Sequence, residues 1–391
     1  MYTYRAVMPA NPKEVPMKRL FLVCGCFALL CAFGLGQAFA KTIRIGLMCP
    51  LTGSWASEGQ DMKQIVELLA KETNKAGGIN GMEVEIITED DGGDPRQAAS
   101  AANKLVTKGV AAVIGTYGSS VTEAAQTIYD EAGIVHIATG STAIRLTEKK
   151  LPLFLRTSPR DDEQGKVAAK TIQAKGAKKV AILHDNTSYA KGLADETKAL
   201  LEASGVKIVF FDALTPGERD YNAILTKMKG AAPDFVFFTG YYPEAGLLLR
   251  QKMEMGWDVP MMGGDATNNP DLVKIAGAKA AQGFLFLSPP VPADLETPEA
   301  KSFLAAYQQA YGTQPGSVWA VLAGDAYRVI AEAIAKGGST KGADIAAYLK
   351  TKLKNFPGLT GPISFNDKGD RVGDLYRVYQ VDASGAFKLL P

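Results

Sequence analysis

Two polar segments follow short apolar runs, and their residue types suit the binding of an anion. In the first, Ile114-Gly-Thr-Tyr-Gly-Ser-Ser-Val-Thr-Glu123, a predicted strand runs into a helix whose first turn carries Ser119, Ser120 and Glu123. The free N–H groups and the positive dipole end of a helix start attract an anion, and the Ser119 hydroxyl can add a hydrogen bond. Ser120 and Glu123 have the spacing of a capping box, so a capping role is expected for Ser120.

The second segment repeats this arrangement, because a predicted strand at residues 134–137 leads into Ala138-Thr-Gly-Ser-Thr-Ala-Ile144. The carboxyl ends of parallel strands meet at the same edge of a sheet, where open α/β sheets bind their ligands. The sequence therefore predicts a carboxylate-binding pocket formed by two neighbouring strand ends.

Other chemistries lack a signal. The sequence contains no G-x-x-x-x-G-K-[ST] phosphate loop, no G-x-G-x-x-G, no C-x-x-C and no G-x-S-x-G. His136 lies inside a predicted strand and His184 ends another, and neither has a nucleophile or metal-ligand spacing beside it. No catalytic residue, metal site or cofactor is predicted. A periplasmic hydrolase assembled from distant residues stays as the alternative from another class.

The N-terminal residues have the pattern of an export signal. Met17-Lys-Arg19 precedes an apolar run at residues 20–35 that ends in Gln37-Ala-Phe-Ala40, an A-x-A-like cleavage site. The run is broken by glycines and is shorter than the roughly 20 residues that a membrane span needs. Residues 1–16 precede a complete signal peptide, and we interpret them as the product of an upstream start codon. We therefore predict a protein exported to the periplasm, cleaved near Ala40.

Charge and cysteine content exclude further classes of partner and fold. The chain has 43 basic and 41 acidic residues, so nothing recommends nucleic acid or an anionic membrane surface as a partner. Three of the four cysteines fall in the export signal, which leaves Cys49 alone. We expect no disulfide, and burial of Cys49 as a small apolar side chain.

The apolar pattern alternates between short β-branched runs and longer runs of helical period, which is typical of βαβ units. Strands are predicted at residues 42–48, 83–88, 111–114, 134–137, 179–183, 207–211, 235–238, 283–287, 362–365 and 375–381. Amphipathic helices are predicted between the first eight, and three more near the C-terminus. The fold class is therefore α/β with doubly wound parallel sheets, and a chain this long is expected to form two domains.

The sequence closely resembles the leucine/isoleucine/valine-binding protein family of ABC-transporter receptors, which have the type I periplasmic-binding fold. The order and spacing of several landmarks carry this resemblance over the whole chain after residue 40. These landmarks are residues 46–59, 74–81, 90–98, 103–104, 114–120, 184–189, 210–212, 240–244 and 361–370.

The resemblance implies two lobes joined by three crossovers, near residues 158–161, 288–290 and 366–372. Residues 41–159 with 290–367 would form lobe 1, and residues 160–289 with 368–391 would form lobe 2, after the segment 1–40. It also implies a monomeric receptor that closes on an amino acid and delivers it to membrane permease subunits of an ABC transporter.

The resemblance further implies positions that bind the ligand. Ser119 and Thr142 match residues that bind the α-carboxylate through hydroxyl and backbone N–H groups. Gly140 matches a position whose carbonyl accepts a hydrogen bond from the α-ammonium group, and Asp265 matches an acid that pairs with it.

Two tyrosines match aromatic residues that close the second lobe over the ligand in this family. They are Tyr189 and Tyr241. The alternative for each is ordinary packing within the lobe, because buried aromatic side chains are common in protein cores.

The sequence departs from the branched-chain receptors at the pocket wall. Glu58 replaces a tyrosine, Tyr117 replaces a leucine, and Gly93 and Gly118 replace the family's disulfide pair. We expect Trp55 to fill the vacated apolar space. These changes affect which ligand side chain the pocket accepts. We expect a branched-chain or other apolar amino acid as the ligand. A receptor for an amide or an aromatic acid is the alternative within this class of binding protein.

Overall fold

The computed structural model describes residues 1–3, residue 6 and residues 42–391. The predicted export signal and its cleavage site near Ala40 lie outside the described residues. In the part of the chain that the structure describes, no helix is long and apolar enough to cross a membrane. Residues 42–391 form one compact unit, which contains two large sheets.

Sheet 1 has five parallel strands in the order β2-β1-β3-β4-β5. Its strands β3 and β4 are buried along their whole length, as expected for a parallel sheet covered by helices on both faces. The five strands are β1 (Ile43–Cys49), β2 (Val84–Asp90), β3 (Ala112–Ile114), β4 (Val135–Ala138) and β5 (Phe154–Arg156).

Sheet 2 has seven strands in the order β14-β13-β10-β9-β8-β6-β7. The strands are β6 (Lys179–His184), β7 (Lys207–Ala213), β8 (Phe235–Thr239), β9 (Met261–Gly263), β10 (Leu285–Ser288), β13 (Arg377–Val381) and β14 (Phe387–Leu389). Between β10 and β13 in the chain, β11 (Phe356–Gly358) and β12 (Gly361–Ile363) pair only with each other.

Thirteen α-helices connect these strands within the described residues. Those before β6 are α1 (Ala56–Lys75), α2 (Pro95–Thr107), α3 (Ser119–Glu131), α4 (Arg145–Glu148) and α5 (Asp161–Ala174). Those before β10 are α6 (Ser188–Ala203), α7 (Asn222–Gly230), α8 (Tyr242–Glu254), α9 (Asp271–Ala276) and α10 (Ala278–Ala281). The last three are α11 (Pro298–Tyr311), α12 (Val318–Gly337) and α13 (Gly342–Thr351).

The helix starts follow local rules of capping. The Asp94 carboxylate accepts a hydrogen bond from the Arg96 N–H at the start of α2, and Pro95 takes the first helical position. The Thr297 hydroxyl caps α11 in the same way, by accepting from the Ala300 N–H. These caps fix where each helix leaves the loop that follows a strand.

The chain passes three times between the two sheets, which confirms the predicted crossovers. It leaves β5 for α5, which precedes sheet 2, and after β10 it returns to α12, which packs on α1. After β12 it crosses again to reach β13. The predicted α/β class with doubly wound sheets is confirmed, apart from one edge of sheet 2.

That edge is antiparallel, since β13 runs antiparallel to β10 and β14 runs antiparallel to β13. The third crossover brings the chain to the sheet from the opposite direction, and a hairpin then completes the edge. The sequence analysis also missed the short strands β5, β9, β11 and β14, which have three residues each. Segments this short show no period of their own.

Candidate functional site

The candidate site lies where the carboxyl ends of the two sheets face each other. The strand order reverses between β1 and β3 in sheet 1 and between β6 and β8 in sheet 2. A reversal of this kind leaves a crevice at the carboxyl ends of the two strands that flank it. Every predicted site residue lies in a segment that directly follows β1, β3, β4, β6, β8 or β9. Trp55 is partly buried, and the other seven side chains are exposed by no more than 3%: Ser119, Thr142, Tyr189, Tyr241, Asp265, Tyr117 and Glu58.

Ser119 is the first residue of α3, and its hydroxyl oxygen accepts a hydrogen bond from the Ala143 N–H at 3.2 Å. The hydroxyl proton of Ser119 is therefore left to donate to another group. The N–H groups of Val121 and Thr122 donate to the Gly118 carbonyl. The N–H groups of Ser119 and Ser120 and the Ser119 hydroxyl therefore remain as donors for an anion at this end of α3.

The capping box expected at the start of α3 is wrong. Gly118 occupies the N-cap position, and the helix start has no side-chain cap. Instead, the Ser120 hydroxyl accepts from the Ser188 N–H at 3.0 Å, and Ser188 Oγ donates to Glu123 at 3.1 Å. Ser188 begins α6 of the other half of the molecule, so these polar groups join the two sides of the site.

The segment after β4 lies beside Ser119, as predicted. Thr142 is buried, its Oγ1 makes no hydrogen bond, and its carbonyl accepts from the Asp161 N–H at 3.0 Å. The Gly140 N–H donates to the Thr116 carbonyl at 3.2 Å, while no group within residues 42–391 donates to the Gly140 carbonyl. The buried Arg156 guanidinium supports this segment by donating to the Ala143 carbonyl at 2.9 Å.

Asp265 lies in the turn after β9, on the side of the site that belongs to sheet 2. Its Oδ2 accepts from the Tyr376 hydroxyl at 2.7 Å, and its N–H donates to Gln164 Oε1 at 2.8 Å. Burial raises the pKa of Asp265 to about 7, although the hydrogen bonds from Tyr376 and Tyr189 oppose the rise. Within the described chain no basic side chain forms an ion pair with Asp265.

Asp161 is a second buried acid in the same place, and the sequence analysis did not assign it to the site. Its Oδ1 accepts from Gln164 Nε2 at 2.8 Å, so Gln164 bridges Asp161 and Asp265, while its Oδ2 makes no hydrogen bond. Burial and the nearby Asp265 both raise the pKa of Asp161 well above its usual range. The positive charge of Arg156 acts on Asp161, but within the described residues no basic side chain forms an ion pair with either acid. The two neighbouring carboxyl groups, once ionised, therefore attract a further positively charged group.

Four aromatic side chains from both sheets form one cluster over the site. The rings of Trp55 and Tyr241 are stacked with centroids 4.1 Å apart, and Tyr117 meets both edge-on at 5.5 and 5.7 Å. Tyr189 contacts Tyr241 edge-on at 5.5 Å, and its hydroxyl accepts from the Ala266 N–H at 3.3 Å. The structure thus brings together Tyr189 and Tyr241, for which the sequence analysis considered both ligand contact and ordinary packing within the lobe.

Two glycines lie directly under the indole of Trp55. A Cβ atom at Gly93 would come within 2.7 Å of the Trp55 ring, and one at Gly118 within 2.8 Å. The ring therefore occupies the space beside the two positions, as the sequence analysis expected. Side chains at either glycine would displace the indole from its stack on Tyr241.

Glu58 lies in the first turn of α1, three residues after Trp55. Its two oxygens accept from Asn269 Nδ2 at 2.7 Å and from Ser317 Oγ at 2.6 Å. Burial raises the pKa of Glu58 to about 8, and the hydrogen bonds from Ser317 and Asn269 oppose the rise. Within the described residues no basic side chain forms an ion pair with Glu58, so its carboxyl group is mostly protonated at neutral pH.

The remaining reactive side chains have structural contacts. His136 Nε2 bonds to the Gly115 carbonyl inside sheet 1, and the His184 ring accepts from the Asn186 N–H. Cys49 is a free, buried thiol whose pKa is raised well above its usual value by burial. Among the described residues, no cluster of His, Cys, Asp and Glu could hold a metal ion.

Comparison with known families assigns nearly all of the described chain. The family model of the periplasmic binding proteins matches residues 42–386. This match includes sheet 1, all of sheet 2 except β14, all three crossovers and every residue of the candidate site.

Individual relatives agree with this match. The leucine-, isoleucine-, valine-, threonine- and alanine-binding protein of Pseudomonas aeruginosa is 38% identical over 343 residues, which are 87% of this chain and 90% of that protein. The Leu/Ile/Val-binding protein BraC3 of Rhizobium johnstonii is 36% identical over 342 residues, 87% of this chain and 92% of that protein.

A solved structure is similar throughout the fold. It is the branched-chain amino acid transporter substrate-binding protein LivJ of Streptococcus pneumoniae in complex with isoleucine, with a TM-score of 0.82 and 32% identity. The likeness covers 90% of this chain and 99% of that one. Relatives of this kind are solute-binding receptors of ABC transporters, and the chain belongs to the periplasmic binding protein family.

Proposed function

We propose that this protein is a periplasmic receptor that binds an amino acid between two closing lobes and delivers it to the permease subunits of an ABC transporter. The observation that carries the proposal is that one buried site contains groups that attract a negative charge and groups that attract a positive charge. The start of α3 with Ser119 and Thr142 suits a carboxylate, and the acids Asp161 and Asp265 suit an ammonium group.

The proposed roles follow from this polarity. Ser119 and Thr142 donate their hydroxyl protons to the α-carboxylate, and the Gly140 carbonyl accepts from the α-ammonium group, which Asp265 and Asp161 neutralise. Trp55, Tyr117, Gly118 and Glu58 form the wall around the ligand side chain. The relatives named for leucine, isoleucine, valine, threonine and alanine support an amino acid as the ligand.

The proposed lobes are residues 41–159 with 290–367 and residues 160–289 with 368–391, and they correspond to the two sheets with their helices. Tyr189 and Tyr241 belong to the second lobe and close over the ligand. Contacts such as Ser188 with Ser120 would form only when the lobes come together. Ligand binding would thereby select a closed form that the permease recognises.

The protein is proposed to act as a monomer in the periplasm, after cleavage near Ala40, and to catalyse no reaction. Support for a role without catalysis comes from the structural contacts of both histidines and of Cys49.

Mass spectrometry of small molecules released from denatured, purified protein tests the proposal. We expect a molecule with an α-amino and an α-carboxylate group. Recovery of an amide or an aromatic acid that lacks the amino group would favour the alternative receptor, and conversion of candidate amides during incubation would favour a hydrolase.

A further inference from the structure

Glu58 is a buried acid that joins two distant parts of the chain at the wall of the site. It accepts hydrogen bonds from Asn269, which follows β9, and from Ser317, which precedes α12. Its side chain is 1% exposed, and the charged groups that act on it most strongly are the acids Asp61 and Asp271. Protein groups therefore supply hydrogen-bond donors to this carboxyl group but no positive charge.

Tyr117 brings to the same wall a polar group that has no hydrogen-bond partner. Its ring lies 5.5 Å from that of Trp55, its side chain is 2% exposed, and its hydroxyl makes no hydrogen bond. The negative charges of Glu58 and Asp265 both act on the phenol and add to the effect of burial in raising the pKa of Tyr117. The phenol thus lies near both the proposed ammonium site and Glu58.

A wall built for an aliphatic side chain would carry neither group. Buried polar groups in folded proteins are almost always hydrogen-bonded, and one left without a partner weakens the state that buries it. A ligand with a polar side chain would bond to the Tyr117 hydroxyl and to the Glu58 carboxyl group, whereas an aliphatic ligand would leave the Tyr117 hydroxyl without a partner and Glu58 without a ligand contact.

We propose that the bound amino acid has a hydrogen-bond donor in its side chain, such as a hydroxyl, amide or ammonium group, which bonds to a polar subsite formed by Glu58, Ser317 and Tyr117. The inference rests on the proposed amino-acid ligand and narrows its class. The aromatic rings of Trp55 and Tyr241 beside this subsite also favour a cationic donor over a neutral one.

The competing explanation is that Glu58 serves only to hold the two sides of the site together through Asn269. In that case removal of the carboxyl group would weaken every ligand by a similar factor. A subsite instead changes the ratio between ligands that differ by one donor, because such sites discriminate against an analogue that leaves their polar groups unpaired.

Calorimetric titration with three matched pairs of amino acids tests the inference on the wild-type protein. The pairs are threonine and valine, asparagine and leucine, and lysine and norleucine, each differing mainly by a side-chain donor. We expect the amino acid that carries the donor to bind at least about tenfold tighter in one or more pairs, because its analogue would leave a buried polar group of the subsite unpaired. The pair that shows the preference identifies a hydroxyl, an amide or a cation.

Two variants and a control locate the preference. Glu58→Leu should reduce it to less than threefold, and Ser317→Ala should reduce it in part. Glu67→Gln removes an exposed acid from the same helix, one that pairs with Lys63 instead, and should leave the preference unchanged. Thermal unfolding of each variant identifies any that does not fold. If Glu58→Leu does not fold, the affinity ratios of wild type and of Ser317→Ala within each ligand pair decide the test.

The inference is overturned if wild type binds valine, leucine and norleucine as tightly as their partners, or if Glu58→Leu weakens both members of each pair alike. Either result would leave the proposed amino-acid receptor standing. Failure of every amino acid to bind would overturn the proposed function, and this inference with it.

Discussion

The indole of Trp55 stacks on the phenol of Tyr241, with ring centroids 4.1 Å apart and planes inclined by 30°. Trp55 follows β1 of sheet 1, whereas Tyr241 follows β8 of sheet 2, so the stack spans the two sides of the site. In the proposed receptor, opening of the lobes would separate the two rings and expose the indole to water.

Trp55 should therefore report ligand binding by fluorescence. The chain has three tryptophans, and we expect Trp55→Phe to remove most of the change in emission that ligand causes. Its affinity should fall by no more than about 1 kcal/mol, since an aromatic ring remains to stack. Trp257→Phe is the control and should retain the change. An undiminished change in emission on ligand binding in Trp55→Phe would contradict the prediction that closure of the lobes forms the stack of Trp55 on Tyr241.

The buried ion pair of Arg156 and Asp370 should stabilise the third crossover. Arg156 Nε donates to Asp370 Oδ1 at 2.7 Å, and both side chains are almost completely buried. In Asp370→Ala the guanidinium would lose its partner, and we expect the free energy of unfolding to fall by about 3 to 5 kcal/mol in urea titrations. Asp195→Ala, which breaks an exposed pair with Lys191, should cost less than about 1 kcal/mol. Equal losses would contradict the structural role.

Ligand affinity should decrease as the pH falls below 7. Burial raises the pKa of Asp265 to about 7 among Asp161, Gln164, Tyr189 and Tyr376, and the proposed ligand ammonium pairs with the ionised carboxylate. Below pH 7 the Asp265 carboxyl group must therefore lose a proton before the ligand binds. We expect Kd to rise by up to about tenfold per pH unit below 7 and to level off above 8.

The variant Asp265→Asn should bind weakly and lose most of this pH dependence, as calorimetry at pH 5.5 to 8.5 would show. The unliganded protein should show the opposite trend. A carboxyl group whose pKa is higher in the folded state than in the unfolded state binds more protons when folded, so its stability contribution falls as the pH rises from about 4 to 7. An affinity independent of pH in wild type would contradict the assignment of Asp265.

The fold could be predicted from the sequence because strands such as β1 and β6 are apolar runs of six or seven residues between helices of clear period. The three-residue strands β5 and β9 could not, since segments this short show no period of their own and form only by pairing with the strands before or after them. The antiparallel edge of sheet 2 depends on the direction of the third crossover, which no local pattern encodes.

The polar segments after β3 and β4 could be predicted as candidate positions for the same reason, whereas Tyr189, Tyr241 and Asp265 were assigned only through the family resemblance. Other contacts of the candidate site were missed. Ser120 and Glu123 have the spacing of a cap, but contacts with Ser188 of the other half override that local preference. Asp161 is the first residue of α5, in the acidic run Asp161-Asp-Glu163, which suits any helix start. Only the tertiary structure distinguishes the buried Asp161 from its more exposed neighbours.

The most direct test of the central claim is calorimetric titration of wild type and Asp265→Ala with the amino acid that wild type binds most tightly, and of wild type with its deaminated analogue. The account predicts a loss of about 3 to 5 kcal/mol for Asp265→Ala, because the ligand ammonium would be buried with less compensation, and similarly poor binding of the analogue. Ser119→Ala should lose only about 1.5 to 3 kcal/mol, since the N–H groups of α3 remain. Binding by Asp265→Ala within threefold of wild type, or an analogue bound as well as the amino acid, would contradict the account.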